Sequence, residues 1–316
     1  MPRLIRRLRA VFATPAVLEA QLTDVQRRLE RIEVQLQAVE KIWQRTRHLE
    51  PGVQAILRDL HFKPETMPYP QRLTARRFRL ASQNQEDGLT LALLNEVGSK
   101  HGTYVEIGSG LSGGNSAFLA REWGWRGLMV DGHARMEQVG RRFPRVTAVS
   151  AWVTRDNINE LIVENGFGGE VDLFSLDLDG NDYWIWEAMT GCSPRIAILE
   201  YNSTFGRDRA VTVPYDPQFH RRAHNSAYYG ASLLALTRLS ARKGYRLVAV
   251  EPTGINAFFL RSDLAPHIPA CDPVAEFRIL EKHDLLIAQG GSPFDYARDA
   301  GQPLVEIPSN GPALPS

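Results

Sequence analysis

Only two cysteines, Cys192 and Cys271, occur in 316 residues. Two isolated thiols supply neither the paired spacing of a zinc site nor a disulfide framework, which excludes small stapled scaffolds. Their scarcity suits a reducing, cytoplasmic compartment. Nowhere do about 18 apolar residues run together, so no transmembrane helix is expected. Arginines interrupt the apolar residues between Leu4 and Phe12, so no signal-peptide core is expected either. Charge of one sign is also lacking. The 37 basic side chains against 36 acidic ones leave +1, and no global field recommends a nucleic-acid partner. Proline is missing from 16 to 50, an interval long enough for an unbroken helix. What is present is 43% hydrophobic residues, enough for one large core and an appendage.

The proline-free interval carries a pattern. Leu18, Leu22, Val25, Leu29, Ile32, Leu36, Val39 and Trp43 follow one another in alternating steps of four and three, the seam of a heptad repeat. Arg27, Arg28, Glu30, Arg31, Glu33 and Glu40 lie between them as a solvated surface. A two-in-seven stripe is narrower than a core-facing helix needs. Residues 16–50 therefore read as a coiled coil joining the subunits of a homo-oligomer; a single helix lying on its own domain is the alternative. Leucine at the a positions with valine and isoleucine at several d positions leans towards more than two strands, and a bulky Trp43 takes the last a position. Residues 1–15 form a basic amphipathic terminus, with Arg3, Arg6, Arg7 and Arg9 among Leu4, Ile5 and Leu8. Within it residues 1–12 suit peripheral contact with the inner face of an anionic membrane, and a frayed terminus is the alternative. Residues 51–80 read as a linker, 81–265 as the main domain, and 266–316 as a proline-rich extension with one helix over Glu276 to Gln289 and a disordered end.

The most informative stretch is 104–131. The β-prone run Tyr104-Val-Glu-Ile ends in Gly108-Ser-Gly110, a short helix over Ser116 to Glu122 follows, and a second apolar run, Leu128 to Val130, ends in Asp131. This is half of a nucleotide-binding βαβ unit. Gly108 and Gly110 permit a tight turn and let backbone approach a ligand. Asp131, about 20 residues on, can accept both hydroxyls of a ribose. Read through Gly113, the glycines also fit a dinucleotide fingerprint. Glu106 discriminates, because an anion in that turn would repel a pyrophosphate at the helix N-terminus, whereas it suits a cationic ligand.

Helical and strand patterns then alternate. A helix at Leu89–Val97 precedes the first strand. Strands at Arg145–Val149, Val171–Leu176 and Arg195–Leu199 and helices at Ile158–Asn165, Tyr183–Met189 and Ala231–Lys243 follow the second. Arg246–Val250 and Asn256–Leu260 close the series, joined by a short turn that forces them antiparallel. The expected fold class is α/β, a mostly parallel seven-stranded sheet with one antiparallel strand near an edge. Ligands in such sheets bind beyond the carboxyl ends of the strands, where Asp131, Asp177, Asp179, Glu200 and Asn202 fall.

Glu106-x-Gly108-x-Gly110 resembles motif I of class I S-adenosylmethionine (SAM) methyltransferases. Ser82-Gln-Asn-Gln-Glu-Asp-Gly88, Asp177-Leu-Asp179-Gly-Asn-Asp182-Tyr-Trp and Glu200-Tyr-Asn202 are similar to segments of FkbM-like bacterial methyltransferases of glycan and sugar pathways, a likeness over residues 80–262. The resemblance implies a Rossmann-like class I methyltransferase fold, SAM as cofactor, and O-methylation of a saccharide hydroxyl on a surface glycan, glycolipid or antibiotic sugar. It implies that Glu106, Gly108 and Gly110 meet the methionine part of SAM and that Asp131 holds the ribose. Trp152 would stack on adenine, Asp177 approach the ammonium, and Gln83, Glu86 and Asp87 close over the cofactor. No role falls to His133.

A sugar hydroxyl is a weak nucleophile and needs a base or a metal. Macrolide-sugar O-methyltransferases, which share this fold, hold Mg²⁺ with carboxylates after the fourth and fifth strands and place a histidine base three residues after the first ligand. By that resemblance Asp179 and Glu200, with Asn202 as a neutral third ligand, would bind Mg²⁺, a hard cation suited to oxygen. Asp182 stands where the histidine would. With Asp179 and with His224, in the long segment from Phe205 to Gly230, it is a candidate for the acid–base work. Two further readings remain at this point. One is an NAD-dependent sugar oxidoreductase, opposed by Glu106 and by the lack of any Tyr-x-x-x-Lys. The other is a non-catalytic coiled-coil scaffold with a vestigial Rossmann domain.

Overall fold

The computed structural model describes residues 15–46, 53, 64–223, 227–280 and 302–309, and the chain divides into two units, Met1–Pro51 and Gly52–Ser316. Within the first unit α1 (Pro15–Thr46) is one continuous helix, so the heptad interval is helical as its pattern demands. Leu22, Val25, Leu29, Ile32, Leu36 and Val39 are all exposed on it. The basic terminus before Pro15 and residues 51, 52 and 54–63 of the expected linker lie outside the described residues, while 71–74 are helical with Leu73 fully buried, so that end of the expected linker is part of the packed domain.

The second unit begins with α2 (Gln71–Thr74) and α3 (Glu86–Val97). There follow β1 (Thr103–Ile107), α4 (Ala117–Trp123), β2 (Arg126–Asp131), α5 (Glu137–Arg142), β3 (Val146–Ser150), α6 (Ile158–Glu164), β4 (Gly169–Leu176), α7 (Asp182–Ala188) and β5 (Cys192–Glu200). The chain closes with β6 (Val211–Thr212), α8 (Leu233–Arg242), β7 (Tyr245–Val250), β8 (Asn256–Arg261), α9 (Pro273–Glu276) and β9 (Val305–Glu306). The main sheet has seven strands in the order β3-β2-β1-β4-β5-β8-β7. Only β8 is reversed, lying antiparallel between β5 and β7. This is the Rossmann-like, mostly parallel seven-stranded sheet with one antiparallel strand that the sequence led us to expect.

The central strands read as near-continuous apolar runs because helices cover both faces of the sheet. Alternate side chains feed two cores. Val105, Ile107, Leu128, Val130, Phe174 and Leu176 enter one; Tyr104, Met129, Leu173, Ile196 and Ile198 enter the other. The register has a functional consequence. Ile107 pairs with both Val130 and Leu176, and Leu176 pairs with Leu199. The residues that follow this row, Gly108, Asp131, Asp177 and Glu200, therefore stand in one rank at the carboxyl edge of the sheet.

Three departures from the sequence reading stand out. Helix α5 was not expected; its Glu-Gln-Val-Gly-Arg-Arg sequence buries only Val139, too little for a periodic signal. The helix expected from Glu276 to Gln289 is not found where it can be checked. Helix α9 ends at Glu276, residues 277–280 are not helical, and 281–289 lie outside the described residues. The tail also holds a strand that was not expected, since β9 pairs antiparallel with β6.

At the opposite edge of the sheet, buried Asp172 on β4 accepts the backbone N–H groups of Lys100, His101, Gly102 and Thr103 at 2.6, 2.8, 2.7 and 3.3 Å. One carboxylate thus fixes the entry to β1. Asp172→Ala leaves these donors unpaired and should cost roughly 2–4 kcal/mol. Urea unfolding measures it; an unchanged midpoint would show that the cradle does not hold the strand.

Candidate active site

The turn after β1 is shaped by a close approach. Gly108 has φ +83°, and a Cβ there would lie 1.6 Å from the carbonyl oxygen of Asp177. The glycine is needed for backbone-to-backbone contact with the end of β4, a requirement the sequence did not announce. Gly110 has open space at its Cα, and its N–H donates to Asp131 Oδ2 at 2.8 Å. Asp131 Oδ1 accepts from His133 N at 2.7 Å. Each oxygen so held keeps a further acceptor site, and the side chain is partly exposed, as a diol-binding carboxylate must be.

Glu106 takes a different place from the one expected. It is fully buried, accepts from Asn115 N at 3.0 Å, and accepts a short hydrogen bond from Ser116 Oγ. A Cβ on Gly114 would meet its Oε1 at 2.1 Å. The carboxylate therefore sits beneath the start of α4 and ties the glycine turn to it, rather than facing the methionine end of a cofactor. It also occupies the N–H groups that a pyrophosphate would use, which opposes a dinucleotide site more directly than repulsion alone. Burial, opposed by these hydrogen bonds, pushes its pKa up to about 7.

Trp152, just past β3, is half exposed and packs over Gly132, where a Cβ would lie 3.0 Å from the indole. Its Nε1 donates to Pro217 O at 2.7 Å, and its ring meets that of His220 with centroids 4.5 Å apart. The indole so fixed beside Asp131 suits a planar ligand.

At the ends of β4 and β5, carboxylate oxygens of Asp177, Asp179 and Glu200 all lie within 4.8 Å of one another. Loss of hydration, then the Asp182 and Asp179 charges, pushes Asp177 up to about 8. Burial, then the Asp177 charge, pushes Glu200 well above the ordinary range. Glu200 Oε2 is buried without a hydrogen-bond partner among the described residues. Three crowded hard-oxygen donors suit a divalent cation. Asp179 is the exposed member and adopts φ +55°, a left-handed conformation that aspartate tolerates.

Asp182, a candidate base, is buried and accepts from Leu178 N at 2.8 Å and Gly180 N at 3.0 Å. It locks the turn that presents Asp179. Asn202, expected as a metal ligand, is fully committed elsewhere. Its Nδ2 donates to Ala227 O and Tyr229 O, both at 2.8 Å, and its Oδ1 accepts from Thr204 N and Thr204 Oγ1. Asp177 takes its place in the carboxylate group. His224 lies outside the described residues.

The segment after β5 packs against the turn that follows β4. Phe205, Val211, Val213, Phe219, Tyr228 and Tyr229 form its own small core. Gly230 N donates to Gly180 O at 3.0 Å and Asn181 Nδ2 to Asp216 O at 2.7 Å, seating it on the end of β4. From it Arg221, which the sequence reading missed, reaches back to ion-pair with Asp179 while lying 3.6 Å from the centre of the Tyr229 ring. Only its position in a long insertion beside acidic strand ends could have signalled it.

The Ser82–Gly88 segment serves mostly itself. Asp87 accepts from Leu80, Ala81 and Ser82 N at 2.5, 2.7 and 3.1 Å. Glu86, fully buried, accepts from Asn84 N at 2.9 Å and from Asn256 Nδ2 at 2.9 Å. Neither carboxylate stands ready to close over a cofactor: Glu86 lies against β8, on the far side of β1, β4 and β5 from Asp131. Gln83 is exposed. Glu251, which the sequence did not single out, is buried near Glu86; burial, then the Glu86 charge, pushes it up to about 7.

No family model and no curated protein matches the chain. Among solved structures it is similar to the mitomycin 7-O-methyltransferase MmcR, at 16% identity over 52% of this chain and 50% of that one, with a TM-score of 0.31. It is also similar to spermidine synthase from Thermotoga maritima, at 13% identity over 58% of this chain and 57% of that one, with a TM-score of 0.29. The chain thus spans half the length of the first and 57% of the second. The fold assignment rests on strand order and register.

Glu106 yields a pH prediction. Its folded pKa of about 7 lies above the ordinary 4.5, so the folded state binds the extra proton between those values. Stability contributed by this group then falls as pH rises from 4.5 to 7, by about 3 kcal/mol. Glu106→Gln should flatten that part of the urea-stability profile; an unaltered slope would place the titrating group elsewhere.

Proposed function

We propose that this protein is a SAM-dependent O-methyltransferase acting on a saccharide hydroxyl. One observation carries the reading. The turn that reaches Gly110, whose N–H holds Asp131, is in van der Waals contact, through Gly108, with the residue that opens the carboxylate group. A diol-binding acid and a proton-accepting or metal-binding cluster are therefore contiguous, as transfer between a nucleoside cofactor and a hydroxyl requires.

The residues fit SAM. Asp131 keeps acceptor sites for a ribose diol, the Gly110 Cα leaves room, Trp152 offers a ring, and Asp177 and Glu200 supply negative charge for a cation. Bound there, SAM would supply a sulfonium-activated methyl group, whose S–C bond breaks to a neutral thioether as the acceptor O–C bond forms. The chain must orient the hydroxyl and take its proton. Asp179, exposed and held by the turn that Asp182 locks, is the group for this work. The Asp177–Asp179–Glu200 set also suits Mg²⁺, which would acidify a coordinated hydroxyl. The saccharide class comes from the FkbM-like resemblance.

Calorimetry with SAM and with NAD tests the cofactor. Asp131→Ala should weaken SAM by roughly 1–3 kcal/mol; binding of NAD in place of SAM overturns the reading. Asp179→Asn should lower kcat about 10²- to 10⁴-fold with SAM affinity retained, and undiminished turnover removes Asp179 from the chemistry. Chelation separates the two modes of activation. We expect EDTA to abolish methyl transfer and Mg²⁺ to restore it; transfer that survives EDTA leaves the carboxylate acting alone as base.

A further inference from the structure

We infer that α1 binds second copies of this chain as a parallel, in-register coiled coil of more than two strands. The helix presents Leu22, Val25, Leu29, Ile32, Leu36 and Val39 along one seam, each between 50 and 62% exposed. An apolar stripe of that length left in water is the surface of an unformed interface. Its spacing sets the register: Leu22, Leu29 and Leu36 fall at a, and Val25, Ile32 and Val39 at d. Leucine at a with β-branched residues at d disfavours the two-stranded form.

Charge beside the seam selects the partner and its direction. The flanking e positions are Glu19, Gln26, Glu33 and Glu40; the g positions include Gln21, Arg28 and Gln35. In a parallel arrangement each g residue meets the e residue five places on in the neighbouring helix, so Arg28 faces Glu33 of the next copy. An antiparallel arrangement sets e against e, glutamate against glutamate, and leaves Arg28 without an acid across the interface. Within its own helix Arg28 meets only Asp24 among the described ion pairs, at 3.9 Å with both side chains in solvent, a contact too weak to compete. A second copy of the same helix therefore supplies both the apolar surface and the opposite charge.

Sedimentation of the full chain tests this, with circular dichroism of each variant to confirm folding. The full chain should sediment as a trimer or larger, and Leu29→Glu combined with Ile32→Glu should yield monomers, whereas Val34→Glu, on the outer face, should not. Arg28→Glu should weaken association about tenfold, and adding Glu33→Arg to it should restore it. Leu29→Cys should form an inter-chain disulfide on mild oxidation, because in-register parallel strands place residue 29 against its copies. A monomeric full chain, or a seam variant that associates unchanged, overturns the interface. A charge swap that fails to restore, or a Leu29→Cys variant that stays reduced, overturns the parallel register.

Discussion

The site depends on one backbone contact. Neighbouring strands lie about 4.8 Å apart, so the chain leaving β1 must cross the end of β4 almost at once. It does so at Gly108, where the Asp177 carbonyl occupies the space a side chain would need. Everything else in the site is referred to that crossing. The turn reaches Gly110, Gly110 fixes Asp131, and Asp177 leads through the turn locked by Asp182 to Asp179. A larger residue at 108 would part the two halves of the site, one suited to a nucleoside and the other to an acceptor.

The two edges of the sheet show why carboxylates alone do not make a site. At the amino edge, Glu170 is met by Lys100, Arg261 and His101, and hydrogen bonds from Lys100 and Arg261 draw its pKa down to about 2. Asp172 beside it is satisfied by four backbone donors. At the carboxyl edge, Asp177 rises to about 8 and Glu200 goes well above the ordinary range, because hydration is lost and the nearest charges are of the same sign. The first arrangement stabilises a fold. The second holds unfavourable charge together, which a fold tolerates where chemistry uses it.

Much of this was legible in the sequence because it is local. The βαβ pattern, the seven strands and the acidic strand ends follow from alternation, glycine turns and connection length, and strand limits shifted by three residues or fewer. What was not legible depends on contacts made across the fold. Glu106 reads as a ligand-facing acid until the turn is seen to fold over it, and Asn202 reads as a metal ligand until its amide is found holding residues 227 and 229, more than twenty positions on. Helix α5 buries too few apolar side chains to announce itself, and β6 and β9 are too short to show alternation. Arg221 carries no local signal, since its meaning lies in the acid it reaches.

Arg221 also defines the logic of the carboxylate group. Its guanidinium compensates Asp179, the exposed member, while stacked on Tyr229. Asp177 and Glu200, deeper in, share an interaction in which one must stay protonated while no cation is near. The group is therefore divided. An outer carboxylate is held by a side chain from the segment after β5, and an inner pair is stabilised by a proton or by a divalent ion. A cation entering the group would compete with Arg221 for Asp179 and with the proton for the inner pair. The segment that carries Arg221 also packs on Trp152 through Pro217, so one piece of chain meets both the carboxylate group and the indole. The long insertion after β5 is therefore held to the carboxyl edge at Gly180, Asp179 and Trp152.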